Sequence, residues 1–165
     1  MFKFATFQTL PAQLQAMSHS PEFVKIAAYC AYQERCHQEV REKLDSMRVN
    51  PQQQEEIIAE LITQNYLNEE RFAITFAGGK FRQKQWGKLK IRQMLKLKAI
   101  SDYSIRKALA TIEAEAYWQA LLGLATHKKA SLKGNSPKEQ ASLMRYLASK
   151  GYEPDLVREA VKEVW

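Results

Sequence analysis

The chain lacks any apolar run approaching the roughly 20 residues that a helix needs to cross a bilayer, so no membrane partner is expected. It holds only two cysteines, Cys30 and Cys36, too few for a disulfide-stapled scaffold. Six positions apart in a segment that reads as helix, they would sit about 240° apart around the axis, out of bridging reach. With His37 they make Cys-x5-Cys-His, which matches no zinc spacing. They therefore read as reduced thiols, and no metal is expected. Prolines number five and glycines six, and most stand where helices would begin or end. No alternating apolar run is bounded by hairpin turns, so no strand is expected. Met1–Met17 lacks the basic start, unbroken apolar centre and small-residue cleavage site of a secretory signal. The expected location is the cytoplasm.

What is present is a globular composition, 45% hydrophobic and 26% charged over 165 residues, enough to bury a core. The net charge of +7 is unevenly spread. Between Lys80 and Lys107 ten basic residues face a single acid, Asp102, so this window carries +9 and the remainder of the chain −2. Such density points to a polyanionic partner: nucleic acid, a nucleoprotein or an acidic protein surface. The candidate partner-binding residues are Lys80, Arg82, Lys84, Lys88, Lys90, Arg92, Lys96, Arg106 and Lys107.

The sequence repeats itself. Val40-x3-Leu44 returns as Ile91-x3-Leu95 and as Leu143-x3-Leu147, at offsets of 51 and 52 residues. Five residues beyond the second apolar position stand Val49, Ile100 and Tyr152, each opening a short turn into a further helical pattern. Ile105, Ala108, Leu109 and Ile112 make one helical stripe, and Val157, Ala160, Val161 and Val164 repeat it. A looser first copy holds Ile57, Ile58, Leu61 and Ile62. Ser20-Pro21, Asn50-Pro51, Ser101-Asp102 and Ser136-Pro137, with Glu139 at capping-box spacing, read as helix starts. The predicted helices are 21–36, 37–48, 51–65, 68–84, 87–98, 101–112, 114–130, 136–150 and 153–165. The expected fold class is all-α: three tandem three-helix repeats packed into an elongated, curved array. The expected divisions are an N-terminal extension at 1–20 and repeats at 21–65, 66–113 (strongly basic) and 114–165.

On the helical wheel of 87–98, Ile91, Met94 and Leu95 share a core face with the stem of Lys98. Lys88, Arg92 and Lys96, four apart, form a positive stripe beside it. Such a stripe is ordinarily a solvated face, but the charge of the window favours partner contact. Leu89 and Leu97 point away from the core side, and burial by a neighbouring unit is the favoured reading.

Catalytic patterns are missing. Gly78-Gly79-Lys80 has Ile74 and Phe81 where a phosphate-binding loop needs Gly and Ser or Thr. His19, His37 and His127 stand in no nucleophilic constellation. Glu55/Glu56, Glu69/Glu70 and Glu113/Glu115 fall in first helical turns, where carboxylates favour the helix dipole. Neither catalytic residues nor a cofactor are expected.

The chain resembles the RecX family, bacterial regulators of the recombinase RecA. The resemblance rests on Gln33-Glu34-Arg35-Cys36-His37, Val40-Arg41-x2-Leu44, Asn65-Tyr66-Leu67-Asn68-Glu69-Glu70-Arg71-Phe72-Ala73, Trp86-Gly87-x3-Ile91-x3-Leu95-Lys96-x-Lys98-Ala99-Ile100 and Leu147-x2-Lys150-Gly151-Tyr152. Together these span about residues 28–165. It implies tandem three-helix repeats and binding to a RecA-type recombinase and its filament on single-stranded DNA, with damping of strand exchange and coprotease activity. Single-stranded DNA is a second candidate partner, and a monomer is expected. One position departs from the family pattern: Ala99 stands where Lys-Gly is common, and an Ala in a left-handed cap costs roughly 1 kcal/mol. The competing function is direct DNA binding by homeodomain-like three-helix units; a scaffold without nucleic-acid connection is a third.

Overall fold

The structure is a computed structural model that describes residues 20–165, so all but the last residue of the expected extension lies outside it. All regular structure among the described residues is helical: α1 (Pro21–Tyr32), α2 (His37–Ser46), α3 (Pro51–Thr63), α4 (Glu69–Lys84), α5 (Lys88–Leu97), α6 (Asp102–Ala110), α7 (Ala114–Ala130), α8 (Pro137–Lys150) and α9 (Pro154–Val164). They make three consecutive helix triplets. The chain divides into two compact units, the first ending at Glu69 and the second running Glu70–Trp165.

The helix starts follow the capping residues. Ser20 Oγ accepts from Phe23 N at 3.1 Å, Asn50 Oδ1 from Gln53 N at 2.9 Å and Ser101 Oγ from Ser104 N at 3.3 Å. At α8 the Glu139 carboxylate accepts from Ser136 N at 3.0 Å, completing a capping box that holds it below the usual carboxylate range. Most boundaries fall within two residues of expectation, and one differs by more. Helix α1 stops at Tyr32 rather than running to residue 36, because Cys36 itself caps α2, its N–H donating to Glu39 Oε2 at 3.3 Å. The Arg35 guanidinium lies 4.0 Å from the centre of the Tyr29 ring. Cys30, within α1, and Cys36, the cap of α2, are both buried.

The repeated apolar pairs are the hearts of the triplets. Val40, Leu44, Ile91, Leu95, Leu143 and Leu147 are all fully buried. Each middle helix ends in the same left-handed turn, with φ of 59° at Arg48, 57° at Ala99 and 93° at Gly151. In the first two turns, Val49 N donates to Leu44 O at 3.2 Å and Ile100 N to Leu95 O at 3.1 Å. Arg48 N and Ala99 N reach Asp45 O and Lys96 O, each at 2.9 Å. These paired bonds satisfy the last carbonyls of the helix and turn the next apolar residue inward. Val49, Ile100 and Tyr152 are accordingly buried. The sequence period is thus a backbone period as well.

Candidate partner-binding surface

The basic segment is positioned by the join between the second and third triplets, both within the second compact unit. A helix N-terminus leaves several N–H groups without intrahelical partners. At α5 three of them are met by the third triplet: Gly87 N donates to Lys150 O at 2.8 Å, Leu89 N to Gly151 O at 3.0 Å and Lys88 N to Tyr117 Oη at 2.8 Å. The positive end of α5 therefore meets the carbonyl end of α8, a favourable alignment of helix dipoles. Backbone approaches backbone so closely that a Cβ on Gly87 would collide with the Gly151 carbonyl, and one on Gly151 with Lys90. Tyr117 in turn donates to Glu153 Oε2 at 2.8 Å and packs its ring 4.9 Å from that of Tyr152. Burial raises the Tyr117 pKa well above the ordinary phenol range, so the hydroxyl stays protonated and can donate.

The nine candidate cations are dispersed around this join. Lys96 pairs with Asp102 at 3.3 Å and Lys107 with Glu70 at 3.3 Å; such exposed pairs are worth about 0–1 kcal/mol but partly neutralise the surface. The Lys107 pKa is raised, first by Tyr103 and then by Glu70. Lys88 lies over the Tyr117 ring at 4.9 Å. Lys80 and Lys90 both sit against Trp86, at 5.3 and 5.0 Å from its centre. Arg82 folds back along α4, where a Cβ on Gly78 would come within 2.7 Å of its Nη1. It lines an open groove of about 530 Å³ with Phe81, Thr111 and Glu113. Lys84, Arg92 and Arg106 are exposed, and none has an ion-pair partner among the described residues.

The expected stripe of Lys88, Arg92 and Lys96 is therefore uneven: one cation over a ring, one open, one paired. The two leucines beside it require a correction. Leu89 and Leu97 are 45% and 67% exposed rather than buried. The third triplet meets α5 end-on, through its backbone, and so leaves the outer side of the helix uncovered. That side carries Leu89, Arg92, Gln93, Lys96 and Leu97 at i, i+3, i+4, i+7 and i+8, all exposed. Tyr103, at 55% exposure, and Arg106 are exposed on the following helix. A face with apolar residues at both ends and cations between suits a protein surface that combines acidic and apolar groups.

Sequence reading missed Trp86, Tyr117 and Tyr146 as organisers of the cations. Trp86-Gly87 and Lys150-Gly151-Tyr152 entered only as parts of the family resemblance, because nothing in linear spacing reveals that the two turns touch. Among the described residues no three His, Cys, Asp or Glu side chains are grouped to hold a metal ion, and no helix is long and apolar enough to cross a membrane.

Comparison with known proteins accords with this architecture. Residues 68–109 match the family model of the second three-helix domain of RecX, and residues 115–161 that of the third. The regulatory protein RecX of Haemophilus ducreyi is 30% identical over 115 residues, covering 69% of this chain and 73% of that protein. That of Prosthecochloris aestuarii is 27% identical, covering 82% and 88%. That of Bacillus mycoides is 26% identical over 86% of this chain, which spans about half (53%) of that longer relative. The crystal structure of RecX from Lactobacillus salivarius superposes with a TM-score of 0.79 at 22% identity, over 91% of this chain and 97% of that one. A second regulatory protein RecX gives 0.76 at 21% identity. With two consecutive domain models covering more than half of its length, and a relative 30% identical that the chain covers to 73%, the chain belongs to the RecX family of regulatory proteins.

Proposed function

We propose that this chain is a non-enzymatic, cytoplasmic regulator that binds a RecA-type recombinase and its filament on single-stranded DNA, limiting recombinase and coprotease activity in DNA repair and the SOS response. Family membership carries the reading. The outer side of α5 supports it, since it sets two exposed leucines among cations, the mixture of apolar and charged groups that a partner surface uses. Arg92 on α5 and Arg106 on the following helix α6 are exposed cations without carboxylate partners among the described residues. Charge on such a surface governs encounter and register, and the leucines supply buried area.

The test is DNA-dependent ATP hydrolysis by the recombinase. The wild-type chain should slow it. Arg92→Glu with Leu97→Ala should weaken that inhibition by about tenfold or more, the scale on which loss of one anchor and reversal of one charge act. The variant should melt as wild type does, because both side chains are exposed. Undiminished inhibition by the folded variant would move the contact off α5.

A further inference from the structure

We propose that Lys80, Trp86, Lys90, Lys150, Tyr146 and Lys128 form a contact track for single-stranded nucleic acid that crosses from the second triplet to the third. This deepens the preceding reading by adding contact with the strand itself, and it is decided on bare DNA, whereas that reading is decided on recombinase activity.

The track alternates cations with rings. Lys80 and Lys90 flank Trp86, with Nζ 5.3 and 5.0 Å from the ring centre, and Lys80 is also 5.2 Å from Phe76. Lys90 Nζ then donates to Ser149 O at 3.1 Å, reaching the last turn of α8. The next residue, Lys150, lies 5.7 Å from the Tyr146 ring, and Lys128 of α7 lies 5.6 Å from the same ring. The step from Lys90 to Lys150 is set by backbone, since Gly87 and Gly151 let α5 and α8 meet. None of the four lysines has a carboxylate partner among the described residues. Lys96 and Lys107, in the same basic segment, both do. The nearby Glu153 accepts the Tyr117 hydroxyl instead.

Four unneutralised ammonium groups along a fixed path match a ligand with serial negative charges. The interleaved rings point to a single strand. A duplex hides its base faces, while an unstacked strand offers phosphates to the cations and bases to aromatic edges and faces. A lipid surface fits less well, because Trp86 and Tyr146 are half-buried against the helices and cannot insert.

The experiment is fluorescence anisotropy of a labelled oligothymidylate with the recombinase-free chain, repeated over a range of salt. Single strands lose affinity with a slope of about −0.7 per neutralised phosphate, so four lysines predict a slope near −3. Lys80→Gln, Lys90→Gln, Lys128→Gln and Lys150→Gln combined should abolish most of that slope and weaken binding at least about tenfold. Lys80→Gln with Lys128→Gln avoids the Lys90 backbone bond and should show about half the loss of slope. Arg92→Gln with Arg106→Gln should bind the oligonucleotide nearly as wild type does. Absence of binding by the wild-type chain, full binding by the folded double lysine variant, or tighter binding to duplex would each overturn the proposal. So would binding to phosphatidylserine vesicles without binding to the oligonucleotide.

Discussion

Ala99 and Gly151 occupy the same turn in successive triplets, with φ of 57° and 93°, yet only one is glycine. Two demands act at this position, and they separate here. The left-handed backbone favours glycine by roughly 1 kcal/mol in both turns. Close approach applies only to Gly151, where Lys90 fills the space a Cβ would need, whereas Ala99 is exposed. The departure from the family pattern is therefore an open turn bearing a tolerated strain. Ala99→Gly should stabilise the protein by about 0.5–1 kcal/mol in urea unfolding. Gly151→Ala should destabilise it by about 2–4 kcal/mol, combining backbone strain with overpacking. Equal and opposite effects at the two sites would mean that φ alone matters and that the α5–α8 contact is loose.

At the scale of elements, the join between α5 and α8 turns a cost into a connection. The Lys88 N–H would otherwise be an orphan, and the Tyr117 hydroxyl serves it while donating to Glu153. Tyr117→Phe keeps the ring contacts with Phe81 and Tyr152 but strands the Lys88 donor. A loss of about 1–3 kcal/mol is expected in urea unfolding. A neutral result would mean that water replaces the hydroxyl at no cost. This join also explains what was legible in the sequence. Helices, caps and the three apolar pairs follow from local spacing, and Val40/Leu44, Ile91/Leu95 and Leu143/Leu147 lie where that spacing puts them. The early end of α1 escaped notice because Cys36 is an unusual cap. The exposure of Leu89 and Leu97 escaped because a wheel assigns faces without saying which neighbour comes, or from which direction. The cations were legible as a charged segment, but their division among rings, carboxylates and solvent depends on residues far away in sequence, such as Glu70 for Lys107 and Tyr117 for Lys88.

For the whole molecule, a net charge of +7 concentrated in one window is a statement about partners rather than about fold. On the reading proposed above, the cations on the outer side of α5 and the second run of them beside Trp86 and Tyr146 would meet the two components of a nucleoprotein filament. The measurement that tests this most directly is co-sedimentation of the wild-type chain with recombinase filaments on single-stranded DNA, run beside the same DNA without recombinase. The account predicts that the chain pellets with filaments at concentrations where bare DNA retains much less of it, and that rising salt strips the bare-DNA fraction first. Equal retention by bare DNA and by filaments would contradict it and identify the chain as a direct DNA-binding protein.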